Sequence, residues 1–527
     1  MIYIKKYWKE QPFIFIILIA LVLRLVAVVF AQGYGMHDDH FLVIEASQSW
    51  VDGTDYNNWL PSSQRIINPD VEPTPEGHSF FYVGLHFLLF KFLEAIGIFS
   101  PIVKMYIVRL LHALFSLLII IYSYKITEKL SNQKTAKQVG LLLAVLWFMP
   151  FLSVHNLVGV VCIPFLLIGT WIIVNSDTKK NVLLQYFIAG LVMGIGFSVR
   201  FQTSLFIGGV GLVLLFQKKW KEAIIFGIGS ILSIIVIQGI VDYVIWGRPF
   251  AELTEYIKYN IAHKTDYGTN RWYMYFLVIM GIIIPPIGVF LFFGWFRTWK
   301  KYTILFLPSF IFFSFHTLFP NKQERFILTI IPFVIIAGFI GWNEFVDKSK
   351  FWNHNKKILK ACFVFFWTVN FLVLPFVTTA YSKRSRVESM IYLSKYKNIN
   401  SLICEDTNRS GVTMLPMFYL GQWIHVYNIP KCENCDSLKL QSMNTVSRYV
   451  HEIYSPKYLS RLDKDNQPNF VLFFDDKNLE KRVENIKKYY PNLSFETIIQ
   501  PGFVDRVMRK LNPSNVNQII YIYKTNS

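Results

Sequence analysis

Charged side chains are scarce in this sequence, and long apolar stretches are abundant. Asp, Glu, Lys and Arg make up 17% of the 527 residues, whereas 53% are hydrophobic. A soluble protein of this length needs more polar surface, so the composition predicts a chain whose solvent is the lipid bilayer. Several stretches approach the roughly 20 residues that cross about 30 Å of hydrocarbon, and we predict about eleven membrane spans. Among these spans are Phe13–Phe30, Leu141–Leu152, Leu157–Val174, Ile224–Ile245, Phe276–Phe293 and Phe326–Ile340.

The sequence also lacks the motifs that bind nucleotides. It has neither a Gly-rich phosphate loop nor a dinucleotide fingerprint, which argues against a motor or an ATP-driven transporter. The predicted spans hold almost no ionisable residues, which argues against a secondary ion transporter. Cysteine is rare, with five in the chain. For Cys432 and Cys435, in the predicted outer tail, a disulfide or free thiols are favoured over half of a zinc site.

The positive charge of the chain predicts its topology. The net charge is +19, but Lys and Arg occur in short clusters between apolar stretches, so nucleic acid is not a predicted partner. The clusters occupy every second connection, as the positive-inside rule expects. The amino terminus is therefore predicted to be cytoplasmic, the first apolar stretch an uncleaved span, and the carboxyl terminus extracytoplasmic. We expect a multi-pass protein of the plasma or inner membrane, with outer loops at 32–103, 153–156, around 200, 246–272 and 319–325.

The chain is expected to contain two domains. Residues 1–381 are predicted to form a mainly helical transmembrane bundle that includes a structured outer loop at 32–103. Within this loop we expect Phe80–Ile98 to be an interfacial helix, because an additional span would place the basic loop at 125–138 outside. Residues 382–527 are more polar, and short β-rich runs alternate there with helical stretches. This pattern predicts a small extracytoplasmic α/β domain.

Two adjacent carboxylates begin the first outer loop, in the run His37-Asp38-Asp39-His40. A carboxylate pair between imidazoles favours coupled pKa shifts and general-base chemistry over a merely solvated surface. Glycosyl transfer to a hydroxyl needs such a base, and we expect His37 and His40 to contact the substrate. A divalent metal could bind this cluster, but it would compete with the base, so neither a metal nor another cofactor is predicted.

Several cations on the predicted outer loops break the positive-inside pattern. Snorkelling toward lipid phosphates can explain any one of them. As a set, they are less well explained by snorkelling, and they are candidate donors that would hold a departing polyprenyl phosphate in a glycosyl transfer. These candidate phosphate-binding residues are Arg200, Arg271, Lys322 and Arg325.

The segment from Asp242 to Tyr275 is dense in aromatic residues. Aromatic residues at a membrane boundary most often form an interfacial belt. Here they share the segment with polar residues suited to sugar hydroxyls, so composition alone leaves both alternatives open. The candidate substrate contacts are Asp242, Asn260, Tyr267 and Trp272.

Three of these segments resemble the lumenal mannosyltransferases that use dolichyl-phosphate mannose, known as family 22. His37–Phe41 resembles that family's His-Pro-Asp-Glu opening, and Asp242–Tyr275 resembles its stretch from Asp-x-x-Tyr to Trp-x-Trp-Tyr. Asn321–Phe326 resembles its His-Lys-Glu-x-Arg-Phe motif, although Asn321 and Gln323 replace the family's His and Glu. The order and spacing hold over about the first 345 residues.

The resemblance implies the C-type glycosyltransferase architecture. It also implies transfer of a hexose, most simply mannose, from a polyprenyl phosphate to a hydroxyl of a lipid-linked or glycan acceptor, with membrane lipids as further partners. Asp39 falls on the family's acidic position and is the expected base, with Asp38 as the alternative. A single displacement predicts inversion at the anomeric carbon, because no second acidic cluster on the outer loops offers a nucleophile.

A non-enzymatic protein is the main alternative. Lipid-linked saccharide transporters and polymer-handling membrane proteins are also polytopic, basic and rich in aromatic residues. Such proteins do not need the acidic pair, so substitution of Asp39 should separate the two functions. The stretch Asp39–Tyr56 also resembles the wider undecaprenyl-phosphate-sugar transferases, which supports the carrier chemistry more than the identity of the sugar.

Overall fold

The computed structural model of the protein describes residues 7–266, 269–431, 440–442, 447–454, 456–463, 466–512, 515 and 517–525. Tyr267, Cys432 and Cys435 lie outside these residues. The chain forms two compact units, each built from separate stretches of sequence. The first contains Met1–Phe30, Thr74–Tyr82 and Ile107–Thr379, and the second contains Ala31–Pro73, Val83–Tyr106 and Ala380–Ser527.

The first unit is helical. Two helices, Phe80–Ala95 and Pro101–Leu130, run from one unit into the other. The helix Phe80–Ala95 corresponds to the helix expected at Phe80–Ile98. Its interfacial position stays a prediction. The other helices of the first unit are Pro12–Phe30, Gln133–Val145, Met149–Leu152, Val158–Val161, Ile163–Val174, Val182–Val199, Ser204–Phe216, Trp220–Ile234, the π-helix Ile235–Gly239, Ile240–Trp246, Ala251–Ala262, Met274–Ile282, Ile287–Arg297, Thr303–Leu318, Ile331–Lys348, Lys350–His354 and Lys356–Thr378, with 3-10 turns at Ser176–Thr178, Phe201–Thr203 and Glu324–Ile330.

Long apolar helices identify an integral membrane protein. In the described part of the chain, 6 helices are long and apolar enough to cross a bilayer. Shorter apolar helices cover Val158–Val174, Phe201–Phe216 and Thr303–Leu318. The 6 long helices are Pro12–Phe30, Pro101–Leu130, Val182–Val199, Trp220–Trp246, Glu324–Lys348 and Lys356–Thr378.

The stretch Leu141–Leu152, predicted as one span, is broken in the structure. Helix Gln133–Val145 ends before an extended residue, and a separate short helix begins at Met149. Pro150 has no backbone N–H and disfavours a continuous helix through this point. The buried Asn370 side chain pairs with the interrupted backbone, since it donates to Val145 O at 2.8 Å and accepts from Trp147 N at 2.9 Å. One amide thus replaces helical hydrogen bonds that the break removes.

The predicted span Phe276–Phe293 is also not a straight helix. Helices Met274–Ile282 and Ile287–Arg297 meet at an angle of 118°. The connection contains Pro285 and Pro286, and proline is the usual cause of a sharp bend in an apolar helix.

A mixed β-sheet forms the centre of the second unit. Its seven strands are arranged in the order β3-β4-β2-β1-β5-β7-β6. Strands β2, β1 and β5 are parallel to one another, and β7 is antiparallel to both β5 and β6. The strands are β1 Ser401–Asp406, β2 His425–Pro430, β3 Leu440–Ser442, β4 Val450–Ile453, β5 Pro468–Phe474, β6 Ser494–Ile499 and β7 Ile520–Lys524.

Helices and the first loop complete the second unit. All residues of β1 are buried, as expected for a central parallel strand with both faces covered. Ile403, Val471 and Phe473 of the sheet pack with Val483 and Ile486 in one apolar core. The helices of this unit are His37–Asp39, the π-helix His40–Glu45, Ala46–Val51, Pro61–Ile67, Arg384–Leu393, Met417–Leu420, Leu479–Lys487 and Phe503–Leu511, with a 3-10 turn at Pro456–Arg461.

Candidate active site

Arg200 is a buried cation at the end of helix Val182–Val199, with 6% of its surface exposed. Its Nη1 donates to Thr329 Oγ1 at 2.6 Å, and its Nη2 donates to Phe326 O at 3.2 Å. Its Nε donates to Gln202 Oε1 at 3.1 Å. These partners are all neutral oxygens, so they orient the guanidinium without cancelling its charge.

Lys322 is a second buried cation in the same unit. Its Nζ donates to Phe319 O at 2.6 Å, and burial lowers its pKa below the ordinary lysine value. Among the described residues, neither Lys322 nor Arg200 forms an ion pair with a carboxylate. A buried cation that lacks a counter-ion is costly. Binding an anion would relieve that cost.

The segment that contains Arg325 connects these cations. Arg325 is partly exposed, and its Nε donates to Gln323 Oε1 at 2.7 Å. The backbone that follows it supplies the Phe326 carbonyl bound by Arg200. We call Arg200, Lys322 and Arg325 the cation cluster. The structure therefore joins two regions that are more than a hundred residues apart in the sequence.

The loop with Arg271 lies beside the cation cluster. Thr269 and Asn321 form an isolated antiparallel bridge. Tyr275 Oη donates to Gln323 O at 3.1 Å and accepts from Gln323 N at 3.2 Å. Arg271 itself is exposed and donates to Tyr273 Oη at 3.0 Å, and the predicted sugar contact Trp272 is 63% exposed. Both side chains are thus accessible next to Lys322.

Gly159 allows Arg200 to reach its position. A Cβ on Gly159 would lie 2.7 Å from Arg200 Nη1 and 3.4 Å from Arg325 O. Thr329 Oγ1, which accepts from Arg200, donates to Gly159 O at 3.0 Å. A larger residue here would displace the guanidinium from Thr329. No motif in the sequence pointed to this glycine.

Asp242 is completely buried and has a carboxylate neighbour that the sequence did not reveal. Gln238 Nε2 donates to Asp242 Oδ1 and to Glu252 Oε2, both at 2.7 Å. Glu252 N donates to Asp242 Oδ2 at 3.2 Å. Burial, followed by the negative charge of Asp242, raises the pKa of Glu252 to about 8. We call Asp242 and Glu252 the carboxyl pair; the raised pKa of Glu252 favours its protonated form in the folded chain.

The carboxyl pair holds several elements of the first unit together. Glu252 accepts from Phe80 N at 2.9 Å and from Trp246 Nε1 at 3.1 Å. Ser79 Oγ lies 2.8 Å from Gln238 Oε1 and 2.7 Å from Ser198 O, so its single proton is shared between these two acceptors. In the structure both carboxylate oxygens of Asp242 accept hydrogen bonds from protein groups. A contact between Asp242 and the substrate stays a prediction. Asn260, also a predicted contact, is partly buried, and its Nδ2 donates to Tyr256 O at 2.8 Å.

The two candidate bases lie in the second unit and differ in exposure. Asp39 ends the short helix His37–Asp39 and is only 6% exposed. The Asp38 side chain is 47% exposed, and its Oδ1 lies 3.5 Å from His37 Nδ1. The His37 ring packs on the Phe41 ring with centroids 4.5 Å apart. Burial strengthens electrostatic interactions at Asp39, whereas solvent screens Asp38.

His40 is fully buried and contacts a glutamate that the motif analysis missed. His40 Nε2 lies 3.2 Å from Glu45 Oε1, and the backbone N–H of Phe418 is shared between the two carboxylate oxygens of Glu45, at 3.0 and 3.1 Å. The His40 ring stacks on Tyr34 and Tyr419, with centroid distances of 4.4 and 5.8 Å. Burial raises the pKa of Glu45 well above its ordinary value. This network fixes the turn that follows Asp39.

The described residues contain no group of three or more His, Cys, Asp or Glu side chains that could hold a metal ion.

The acidic motif lies in the second unit, and the cation cluster lies in the first. The predicted set of site residues is thus divided between the two units. His37 and Asp38 are accessible, Asp39 is nearly enclosed, and His40 is fully enclosed.

Comparison with known proteins gives matches over most of the chain. The sequence profile of the Alg9-like mannosyltransferase family matches residues 14–423. GPI alpha-1,2-mannosyltransferase 3 of Homo sapiens is 22% identical over 427 residues, which cover 79% of this chain and 70% of the relative. A probable Dol-P-Man:Man(7)GlcNAc(2)-PP-Dol alpha-1,6-mannosyltransferase of Schizosaccharomyces pombe is 26% identical over 170 residues, 31% of each chain.

Solved structures show the same fold at low sequence identity. ArnT from Cupriavidus metallidurans, bound to undecaprenyl phosphate, has a TM-score of 0.61 and 13% identity, and the match covers 97% of both chains. The Archaeoglobus fulgidus oligosaccharyltransferase, tethered to an acceptor peptide, has a TM-score of 0.50 and 9% identity. That match covers 89% of this chain and 70% of the other. The fold is the C-type glycosyltransferase architecture, as predicted.

Proposed function

Because the chain belongs to the Alg9-like mannosyltransferase family, we propose that this membrane glycosyltransferase transfers mannose from a polyprenyl-phosphate carrier to a hydroxyl group. The acceptor is a lipid-linked or glycan molecule. The observation that carries the donor assignment is the burial of Arg200 and Lys322 without a carboxylate partner among the described residues.

The cation cluster binds the carrier phosphate in this proposal. Phosphate oxygens accept charge-assisted hydrogen bonds from guanidinium and ammonium groups, and such bonds are stronger in a site that excludes water. Arg271, on the neighbouring loop, adds an accessible positive charge. When the glycosidic bond breaks, these cations stabilise the negative charge that develops on the departing phosphate. Arg200 and Lys322 are held in place before the donor binds, so little reorganisation is needed.

Asp39 acts as the general base, and Asp38 is the alternative. The acceptor oxygen attacks the anomeric carbon while Asp39 takes the hydroxyl proton. The bond between that carbon and the phosphate oxygen breaks, and its electron pair leaves with the polyprenyl phosphate. Attack and departure occur on opposite faces of the sugar, so the configuration inverts. No step in this mechanism requires a metal ion.

The proposed topology places this chemistry outside the cytoplasm. It has about eleven spans, a cytoplasmic amino terminus and an extracytoplasmic domain at residues 382–527. The loops that contain Asp39, Arg200, Arg271 and Lys322 then share one side of the membrane. Two observations support this arrangement: the clusters of Lys and Arg in every second connection of the sequence, and the long apolar helices of the first unit.

Donor binding tests the proposed site directly. Lys322→Met keeps the length of the side chain but removes its charge. The loss of one charge-assisted contact, about 1.5–3 kcal/mol, should weaken binding of polyprenyl phosphate about 10- to 150-fold. Equilibrium binding of the radiolabelled lipid to purified protein in nanodiscs measures the effect. Lys300→Met, at an exposed lysine, is the matched control. Equal affinity of both variants and the parent protein would contradict the phosphate role of Lys322.

A further inference from the structure

The helix Phe503–Leu511, which we call the amphipathic helix, exposes its apolar residues. Phe503 is 59% exposed, Val507 is 42% exposed and Leu511 is 76% exposed. These residues are four positions apart, so they lie along one face of the helix. Met508 is 44% exposed and widens the same apolar surface. All four apolar side chains are exposed on this face.

The opposite face of the amphipathic helix is polar and packs against protein. Asp505 is only 7% exposed and lies near the positive charges of Lys383 and Arg386. Arg509 Nη2 lies 3.1 Å from Asp476 Oδ1. A surface helix of a soluble domain normally buries its apolar face and exposes its charges. Here the orientation is reversed, so the apolar face needs another apolar environment.

Charge on the amphipathic helix favours a lipid surface as that environment. Arg506 and Lys510 are exposed and lie beside Phe503 on the helical wheel. Helices that lie in the membrane interface combine an apolar face with basic residues at its border, which attract anionic headgroups. A soluble acidic partner would match the charges but would not require the bulky apolar face.

The chain connection also keeps this helix near the membrane. A Cβ on Gly502, directly before the helix, would lie 2.8 Å from Tyr381 O. Tyr381 closely follows the end of the apolar helix Lys356–Thr378, which is long enough to cross a bilayer. Each intervening residue extends the chain by at most about 3.6 Å, so the first turn of the helix lies close to a membrane boundary.

We propose that the amphipathic helix lies in the interface of an anionic bilayer, with Phe503, Val507 and Leu511 among the acyl chains and Arg506 and Lys510 at the headgroups. The second unit thereby has its own attachment to the membrane, in addition to the spans of the first unit. This attachment is independent of the proposed transfer chemistry. A variant could therefore lose the lipid contact and keep the acidic motif and the cation cluster.

Nitroxide labels measure this contact in the full-length protein. A single cysteine is placed at Val507, Leu511 or the exposed control position Lys487, with the native cysteines replaced by serine. In nanodiscs that contain phosphatidylglycerol, labels at 507 and 511 should be several-fold more accessible to oxygen than to a water-soluble nickel complex. The label at 487 should show the accessibility of an aqueous site. The double substitution Arg506→Gln and Lys510→Gln should reduce the preference of the label at 511 for oxygen over the nickel complex.

Photocrosslinking provides the second measurement and leaves the native cysteines in place. A benzoylphenylalanine at position 511 should crosslink to phospholipid, whereas one at 487 should not. Equal accessibility at 507, 511 and 487 in anionic bilayers would overturn the proposal. Two other results would also overturn it, because they would indicate a protein partner. One is immobilised labels that are no more accessible to oxygen than to the nickel complex, and the other is crosslinks to protein alone.

Discussion

Arg200 is buried, and its guanidinium donates hydrogen bonds to neutral oxygens of Gln202, Phe326 and Thr329. The guanidinium can take this position because the neighbouring Gly159 has no Cβ, which would occupy the space beside Nη1. Sequence reasoning selected Arg200 from the sign of its charge on an outer loop. It could not select Gly159, because a glycine in an apolar stretch has no distinguishing pattern until its neighbours are known.

Gly159→Ala tests whether the placement of Arg200 matters for the donor. The new Cβ would lie 2.7 Å from Nη1, so the guanidinium must move away from Thr329. We expect weaker binding of polyprenyl phosphate with little change in thermal stability, because alanine favours a helix more than glycine does. Binding and unfolding temperature are measured on the same preparation. Gly208→Ala is the control, since its Cβ would meet nothing within 4 Å. Unchanged donor affinity would mean that the position of Arg200 is irrelevant to the donor.

The turn between helices Ile240–Trp246 and Ala251–Ala262 brings the carboxyl pair together. Gly247 and Phe250 have positive φ angles of 70° and 57° within this turn, and the chain reverses there. Asp242 and Glu252 are ten residues apart, a separation that no helical or strand periodicity predicts as a contact. The turn geometry that joins them could not be read from the sequence. Asp242 was therefore predicted as a sugar contact while Glu252 was not noticed.

The carboxyl pair should make stability depend on pH. The pKa of Glu252 rises from an ordinary 4.5 to about 8 in the folded chain, so folding strengthens proton binding. Its contribution is fully present below about pH 4.5 and is lost as the pH rises through 8. Wild type and Glu252→Gln should thus unfold at similar temperatures at pH 5, and the variant should be the more stable at pH 9. Thermal unfolding in nanodiscs at both values measures this. A wild type that unfolds at a higher temperature than the variant at pH 9 would mean that folding does not raise the pKa of Glu252.

Elements with a strong periodic signal were predictable, and elements that depend on distant partners were not. Apolar stretches such as Phe13–Phe30 and Ile224–Ile245 are helical, and strands β1, β5, β6 and β7 lie in the tail, where the sequence predicts short β-rich runs. The break after Val145 was missed because its hydrogen bonds come from Asn370, more than two hundred residues later. The buried Glu45 was missed because its partner, Phe418 N, lies in the tail.

At the scale of the whole molecule, the positive-inside rule predicts the orientation of every loop that contains a candidate site residue. The predicted odd number of spans after a cytoplasmic amino terminus would place the carboxyl terminus outside. Lys383, Arg384 and Arg386 follow the last apolar helix and would be outside as well. Lys383 is partly buried and donates to Tyr34 O and Gly35 O, whereas Arg386 is buried and donates to Met414 O and Asn517 Oδ1. Under the positive-inside rule these three cations argue against that orientation, which makes a direct test necessary.

A reporter fused after Ser527 tests this orientation. Alkaline phosphatase, which is active outside the cytoplasm, should be active in the fusion, and a green fluorescent protein fusion through the general secretory route should be dark. The same pair fused after Lys179, in a predicted cytoplasmic loop, should give the opposite pattern and serves as the control. Fluorescence together with inactive phosphatase at Ser527 would reverse the topology and move the proposed active site to the cytoplasm.

Sugar transfer by the purified protein with Asp39 intact or replaced tests the central claim most directly. The protein in nanodiscs is supplied with β-linked polyprenyl-phosphate mannose and extracted lipid acceptors, with a chelator present, and the anomeric configuration of the product is determined by NMR. Asp39→Asn preserves the shape of the side chain but removes the base. We predict an α-mannoside from the parent protein and a loss of turnover of at least about a hundredfold in the variant, with donor binding retained. A β-linked product, or equal turnover by the parent protein and the variant, would contradict the account.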